Sequence, residues 1–188
     1  MLAEMKKKQC VMKKFGLEAF RISMTTIYEQ TLKTAEELGK LCIKKNIVVG
    51  SAESCTGGMI AAACTEISGS SSWFKGGIVA YDPAIKKKLL SVPEEIISEF
   101  GVVSKPTALN MASGAIAALD CNAAVATTGY AGPTGGDENN PCGTVYIAAA
   151  YSDKVQCERH CFNGTRFEVR QQATLAALKL LQRILTTI

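Results

Sequence analysis

The apolar run Ile47 to Gly50 breaks directly into Ser51-Ala-Glu-Ser-Cys-Thr-Gly-Gly58, and an Ala-rich stretch with helical composition follows from about Gly57 to Thr65. A strand that enters a helix through a Gly-closed turn commits the chain to an α/β layout. It also exposes a side chain at the carboxyl end of a strand, beside the unpaired N–H groups of a new helix start. Ser54 occupies that position and is the first candidate nucleophile.

Period changes along the chain extend the same reading. Tyr28, Leu32, Ala35, Leu38 and Cys42 recur at three- and four-residue steps and predict a helix from Thr26 to about Lys45. Strands are expected at Ile47 to Ala52, Gly77 to Tyr81 and Ala123 to Thr128. Helices are expected to open near Pro83, at Pro93 and at Pro106, the last reaching Leu119, since proline suits a first helical turn. Gly101 to Ser104 reads as short and extended. Gly143 to Tyr151 and Lys154 to Cys161, joined by Ser152-Asp153, carry the mark of an antiparallel hairpin, and a final helix runs from about Arg166 to Leu185. These elements imply a three-layer α/β/α sandwich with a mixed, mostly parallel sheet and one antiparallel hairpin. With 188 residues, 47% of them hydrophobic, the chain is large enough for a full core. No internal repeat, low-complexity tract or linker divides it, so residues 24–188 are expected to form one domain. Residues 1–23 read as a basic, flexible extension, with Met24 opening the compact unit.

Charge and cysteine content narrow the function classes. The net charge of +4 is concentrated at Lys6, Lys7, Lys8, Lys13 and Lys14, which leaves the rest close to neutral and does not indicate a nucleic-acid groove. The eight cysteines follow no paired framework and lie mostly in apolar periodic segments, as expected of reduced core thiols in the cytoplasm. Cys157, His160 and Cys161 fall close together, but on a strand Cys157 and Cys161 would stand roughly 13 Å apart at about 3.3 Å per residue, too far to share a zinc. No metal or cofactor is expected. No apolar run approaches the ~20 residues that cross a bilayer, so no membrane partner is expected either.

A Ser-His-Asp triad is disfavoured because the one histidine, His160, lies in a hairpin strand. Lysine is the substitute base in a His-poor hydrolase, and Lys86, Lys87 and Lys88 follow the strand ending at Tyr81. An ordinary lysine near pKa 10.4 is neutral in only about one molecule in 2,500 at pH 7, so burial must lower it by roughly 3 for the amine to serve. From the residues alone, the Lys-Lys-Lys run reads first as a solvated helix end. Cys55 is a rival nucleophile at the same helix start, where thiol pKa is lowered, against a role as a small packing residue.

Two further segments could bind a ligand. Thr128-Gly-Tyr-Ala-Gly-Pro-Thr-Gly-Gly136 supplies Gly129, Gly132 and Gly135, which let backbone approach a ligand closely, although the loop lacks the ending of a P-loop. Phe162-Asn-Gly-Thr-Arg166, with Arg170 a turn later, puts two guanidinium groups on one face of a helix start. An anion, phosphate above all, would relieve the unfavourable positive charge there.

Taken together, AESCTGG, TGYAGPTGG and FNGTRxxVRxxA resemble the carboxy-terminal domain of the CinA family, whose stand-alone members are nicotinamide-nucleotide amidohydrolases. GSSSWFKGGIVAY and GVVSKP resemble two further elements of that family in the same order, and the resemblance runs from about Ile27 to Ile184. It implies hydrolysis of the carboxamide of nicotinamide mononucleotide to nicotinic acid mononucleotide and ammonia, without metal, by a serine-lysine arrangement. Ser54 matches the family serine, and the family lysine, five positions after the strand's tyrosine in a YSNEAK pattern, maps onto Lys86. Backbone around Cys55, Thr56, Gly57 and Gly58 is then expected to hold an oxyanion, Arg166 or Arg170 the phosphate, and the 129–136 loop the ribose or pyridine. Glu53, Tyr81, Thr127 and Thr128 are expected as orienting polar contacts. The substrate partner would be a pyridine nucleotide and the assembly a homo-oligomer. One departure stands out: Tyr81-Asp-Pro-Ala-Ile-Lys86 replaces Ser, Asn and Glu of the pattern by Asp82, Pro83 and Ala84, which bears on substrate identity and turnover. The alternative from another class is a nucleotide-binding or protein-interaction domain of the CinA type that keeps the pocket and has lost turnover. A nucleotide phosphatase would want a carboxylate cluster that the scattered acidic residues do not supply.

Overall fold

The computed structural model describes residues 26–187, so the expectations for residues 1–23 lie outside the described residues. Helix α1 covers residues 26–45. Then follow β1 (Val49–Glu53), α2 (Met59–Thr65), a 3-10 turn at Ser70–Ser72, β2 (Phe74–Val79), α3 (Pro83–Leu90), α4 (Glu94–Phe100), α5 (Lys105–Leu119), β3 (Ala123–Gly129), β4 (Thr144–Tyr151), β5 (Lys154–Cys161) and α6 (Arg166–Thr186). No helix among the described residues is long and apolar enough to cross a membrane.

The five strands form one sheet in the order β2-β1-β3-β4-β5. β1 pairs in parallel with both β2 and β3, while β3–β4 and β4–β5 pair antiparallel. The sheet is therefore mixed, parallel in its first half and antiparallel in its second. Strand periodicity splits its side chains between two cores. Val49, Ala123, Val125, Val145, Ile147 and Ala149 face the core built with α1, α2 and α6. Ala52, Ala124, Ala126, Ala148 and Ala150 face the core built with α3 and α5. These are the two outer layers of the expected sandwich.

The second face is made almost entirely of alanine, so α5 can lie close to the sheet. α3 lies close to α5 in turn: a Cβ added at Gly114 would stand 1.9 Å from the Leu90 carbonyl oxygen. Gly114→Ala is expected to destabilise the protein by about 1–3 kcal/mol, because backbone cannot yield as a flexible side chain does. A thermal midpoint several degrees lower would be the readout.

Element boundaries differ from the periodic reading where polar residues intervene. β1 starts two residues later than expected and continues one residue further, to Glu53, whose carboxylate is fully buried with hydrogen-bond partners. β2 begins at Phe74 and ends at Val79, two residues short of Tyr81. Gly101 to Ser104 forms no strand. Its last residue caps α5 instead, the Ser104 hydroxyl accepting from the Thr107 N–H at 3.3 Å.

Candidate active site

Ser54 sits one residue beyond β1, and its backbone is fixed from both sides. Its N–H donates to the Thr127 carbonyl at 3.0 Å, and the carbonyl of Glu53 accepts from the Ala80 N–H at 2.8 Å. The ladders of β1 with β3 and β2 thus carry on past the strand's end. Five residues later α2 begins, and the turn between them is tied down by Glu53. That fully buried carboxylate accepts from the Ser51 hydroxyl (3.2 Å), the Thr56 hydroxyl (2.8 Å) and the N–H groups of Gly58 (2.9 Å), Ile60 (3.1 Å) and Ala61 (2.9 Å). Glu53 was expected to orient a ligand. Its oxygens are instead committed to the first N–H groups of α2, the donors a helix leaves without intrahelical partners.

α3 brings in the second member of the pair. Asp82 is its N-cap, accepting from the Ala84 N–H at 2.7 Å, and Pro83 opens the first turn. Two of the three departures from the YSNEAK pattern, Asp82 and Pro83, thus supply a strong helix start. Helical side chains lean toward their own N-terminus, and Lys86, one turn in, reaches back over that start. Its Nζ lies 3.0 Å from Ser54 Oγ, 2.6 Å from the Ala80 carbonyl and 3.0 Å from the Tyr81 carbonyl. Lys86 is 1% exposed and Ser54 8%.

Burial lowers the Lys86 pKa from 10.5 to about 8, against the opposing pull of Cys55 and Asp82. Lys87, by contrast, pairs with Glu94 at the surface. Burial pushes the Cys55 thiol up to about 11, a rise only partly countered by its own N–H, the Lys86 charge and the Thr56 N–H. The helix-start effect expected to activate Cys55 is outweighed by desolvation, which disfavours the thiolate.

The remaining expected residues divide between the turn and a cavity. Arg170 lies on the turn: its Nε donates to the Cys55 carbonyl at 3.0 Å and an Nη to the Thr56 carbonyl at 2.8 Å. Arg166 points the other way, donating to the Gly132 carbonyl at 2.9 Å and reaching the Tyr81 hydroxyl at 3.4 Å. It bridges the Gly-rich loop and the strand end that precedes α3. A cavity of about 320 Å³ opens beside it, with Gly132, Pro133, Cys142, Phe162, Thr165 and Arg166 among its walls. Gly135 accepts from the Cys142 thiol at 2.6 Å and has φ of +90°. Gly129 lies too close to β4 for a side chain, since an added Cβ would fall 2.5 Å from the Thr144 carbonyl. The Thr128 hydroxyl donates to the Val102 carbonyl at 2.6 Å, and the Thr56 and Thr127 hydroxyls share a bond of 2.8 Å.

Between Ser54 and Ala61, the N–H groups of Cys55, Thr56 and Gly57 are those taken up by no oxygen among the described residues. Gly58, expected among the oxyanion donors, has its N–H committed to Glu53. Sequence reasoning missed the carbonyls of Ala80 and Tyr81 as partners of Lys86. A backbone acceptor carries no sequence signal of its own, although the five-residue step from Tyr81 to Lys86 fits a lysine folded back over a helix start.

Comparison with known proteins gives the same frame. The family model described as the CinA C-terminal domain matches residues 31–185. A CinA-like protein of Endomicrobium trichonymphae is 44% identical over 149 residues, covering 79% of this chain and 35% of its own length. The chain thus spans about a third of that relative. The nicotinamide-nucleotide amidohydrolase PncC of Escherichia coli K12 is 40% identical over 153 residues, covering 81% of this chain and 93% of its own. Among solved structures, the competence/damage inducible protein CihA from Agrobacterium tumefaciens superposes with a TM-score of 0.80 at 37% identity, covering 84% of this chain and 96% of its own. A CinA superfamily protein from Klebsiella pneumoniae gives 0.81 at 28% identity, covering 84% and 99%. A buried serine-lysine pair on a mixed five-stranded sheet, a family match over most of the described residues and these relatives lead to one conclusion: the chain belongs to the CinA C-terminal domain family.

Proposed function

We propose that the chain is an amidohydrolase that converts nicotinamide mononucleotide to nicotinic acid mononucleotide and ammonia, with Ser54 as nucleophile and Lys86 as its base. The observation that carries this reading is the set of three contacts around Lys86 Nζ. A neutral amine has two N–H donors and one lone pair. The carbonyls of Ala80 and Tyr81 take the two donors, which leaves the lone pair for the Ser54 hydroxyl. With a pKa of about 8, roughly a tenth of the molecules hold that neutral form at pH 7, against a few in ten thousand for an ordinary lysine.

In the first half-reaction Lys86 takes the Ser54 proton while Oγ attacks the carboxamide carbon. Negative charge then develops on the amide oxygen, for which the Cys55, Thr56 and Gly57 N–H groups, taken up by no oxygen among the described residues, are the candidate donors. Collapse breaks the C–N bond, and the Lys86 ammonium returns its proton so that the leaving group departs as ammonia. Water, deprotonated by Lys86, next attacks the acyl ester, Ser54 regains its proton, and the carboxylate is released. Arg166 is the guanidinium facing the cavity and the candidate phosphate contact. The identity to PncC supports the choice of amide.

The experiment follows ammonia release from nicotinamide mononucleotide. Ser54→Ala is expected to lower kcat by about 10³-fold or more, as loss of a nucleophile does, whereas Cys55→Ala should keep most of it. Because the base acts only when deprotonated, kcat/KM should rise with pH through an apparent pKa near 8 and level off above it. Equal rates in wild type and Ser54→Ala, or a rate that falls with pH across that range, would overturn the assignment. Binding of the mononucleotide by calorimetry without product would select the binding-domain alternative.

A further inference from the structure

Arg170 carries a role that the sequence pattern obscured. From its place one helical turn after Arg166 it was one of two arginines expected to hold phosphate, yet two of its donors end on consecutive carbonyls of the Ser54 turn, Cys55 at 3.0 Å and Thr56 at 2.8 Å. In a trans peptide the carbonyl and the following N–H point in opposite directions. Drawing the Cys55 and Thr56 carbonyls toward the guanidinium therefore turns the N–H groups of Thr56 and Gly57 away from it.

These two are among the three N–H groups of the turn that no oxygen takes up. The same turn is tied to Lys86 through Ser54, whose hydroxyl lies 3.0 Å from the Lys86 amine. Gly57 supports the same arrangement: its φ is +60°, and a Cβ there would lie 3.0 Å from an Arg170 Nη. Only a residue without a side chain lets the guanidinium press against the turn in this conformation.

We propose that Arg170 is a positioning residue: it sets the two peptide planes that aim the Thr56 and Gly57 N–H groups at the developing oxyanion, and it does not contact the phosphate. The inference rests on the amidohydrolase reading of this site. Its energetic logic is pre-organisation, since a bidentate, charge-assisted fork fixes two dipoles before the reaction begins. A lysine is a point donor and cannot hold both carbonyls in the same way.

The test uses the full chain and the variants Arg170→Lys and Arg170→Met. Expected is a fall in kcat of ~10²-fold or more for both, the size of losing oxyanion donors. The KM for nicotinamide mononucleotide and the inhibition constant of nicotinic acid mononucleotide should stay within about threefold, since uniform binding is untouched. The apparent pKa near 8 should not move. In 15N-labelled protein without substrate, the Thr56 and Gly57 amide resonances should shift in both variants, with the rest of the spectrum and the thermal midpoint of Arg170→Lys close to wild type.

A phosphate role would appear as the opposite split, with kcat kept and both the KM and the product's inhibition constant raised, and would overturn the proposal. Unchanged amide resonances would overturn it as well. If wild type releases no ammonia from the mononucleotide, the functional reading fails, while the amide resonances still decide whether Arg170 holds the two peptide planes.

Discussion

Lys86→Met is expected to abolish turnover, with kcat at least ~10³-fold below wild type, and to leave stability at pH 7 nearly unchanged. The first half follows from the loss of the base. The second comes from two opposing terms of similar size. The drop in the Lys86 pKa from 10.5 to about 8 corresponds to roughly 3 kcal/mol by which the folded protein disfavours the ammonium, at about 1.4 kcal/mol per pH unit. Methionine removes that penalty. It also strips the Ala80 and Tyr81 carbonyls of their donor, which costs about 1–3 kcal/mol for a buried orphaned acceptor. Ala80 is fully buried and Tyr81 is 63% exposed, so the cost falls mainly on one carbonyl.

The sign of the pH dependence separates these terms. Between about pH 8 and 10.5 the unfolded chain holds the lysine proton and the folded chain has released it. Stability from this group therefore rises with pH across that window and is lost as pH falls through 8. The buried thiols act in the opposite direction, because folding raises their pKa values. Denaturant unfolding of wild type and Lys86→Met from pH 7 to 10.5 isolates the lysine. The difference between them should grow in favour of wild type by up to ~3 kcal/mol toward the alkaline end. Parallel pH curves would mean that Lys86 is not desolvated as its burial requires.

Glu53→Ala is expected to be the most damaging single change to the fold. It orphans the Ser51 hydroxyl and the N–H groups of Gly58, Ile60 and Ala61, and removes one of the two partners of the Thr56 hydroxyl. At about 1–3 kcal/mol for each buried donor left without a partner, even a site that admits water should lose ~4 kcal/mol or more. That is comparable to the whole stability of an ordinary domain, ~5–15 kcal/mol. Glu53→Gln keeps the shape but turns an NH2 group toward donors, and should cost ~2–3 kcal/mol. Denaturant midpoints of both variants give the measurement. Had Glu53 been a ligand contact, the glutamine variant would keep its midpoint and change KM alone.

How far the residues disclosed this arrangement depends on what each part is made of. The three layers were legible because short β-rich runs, Ala123 to Thr128 and Gly143 to Tyr151 among them, are interleaved with helical periods and bounded by turn residues. The Ser54 turn was legible because glycine closes it. Strand β1 was ended one residue early, since Glu53, a fully buried carboxylate, reads as an exit from the core. The opposite tasks of Arg166 and Arg170 were not separable from their spacing: both are arginines on one helical face, and the acceptors that part them are backbone carbonyls far along the chain. Asp82 and Pro83 read as a disturbance of the family pattern, and only the α3 start shows that they cap the helix carrying Lys86.

The double anchoring of the residues around Ser54 has a further consequence for how a bound molecule is accommodated. Glu53 and Ser54 are stitched to β2 on one flank and β3 on the other, so the nucleophile's peptide has almost no freedom to follow a ligand. Residues 130–143 are held at their two ends by the Tyr130–Thr144 and Phe162–Gly143 backbone bonds and along their length by the side chains of Tyr146, Arg159 and Arg166, with the remaining bonds closing on their own interior. If the proposed amidohydrolase reading holds, adaptation to differently shaped ligands falls to that side-chain-held segment rather than to the backbone-anchored Ser54 turn.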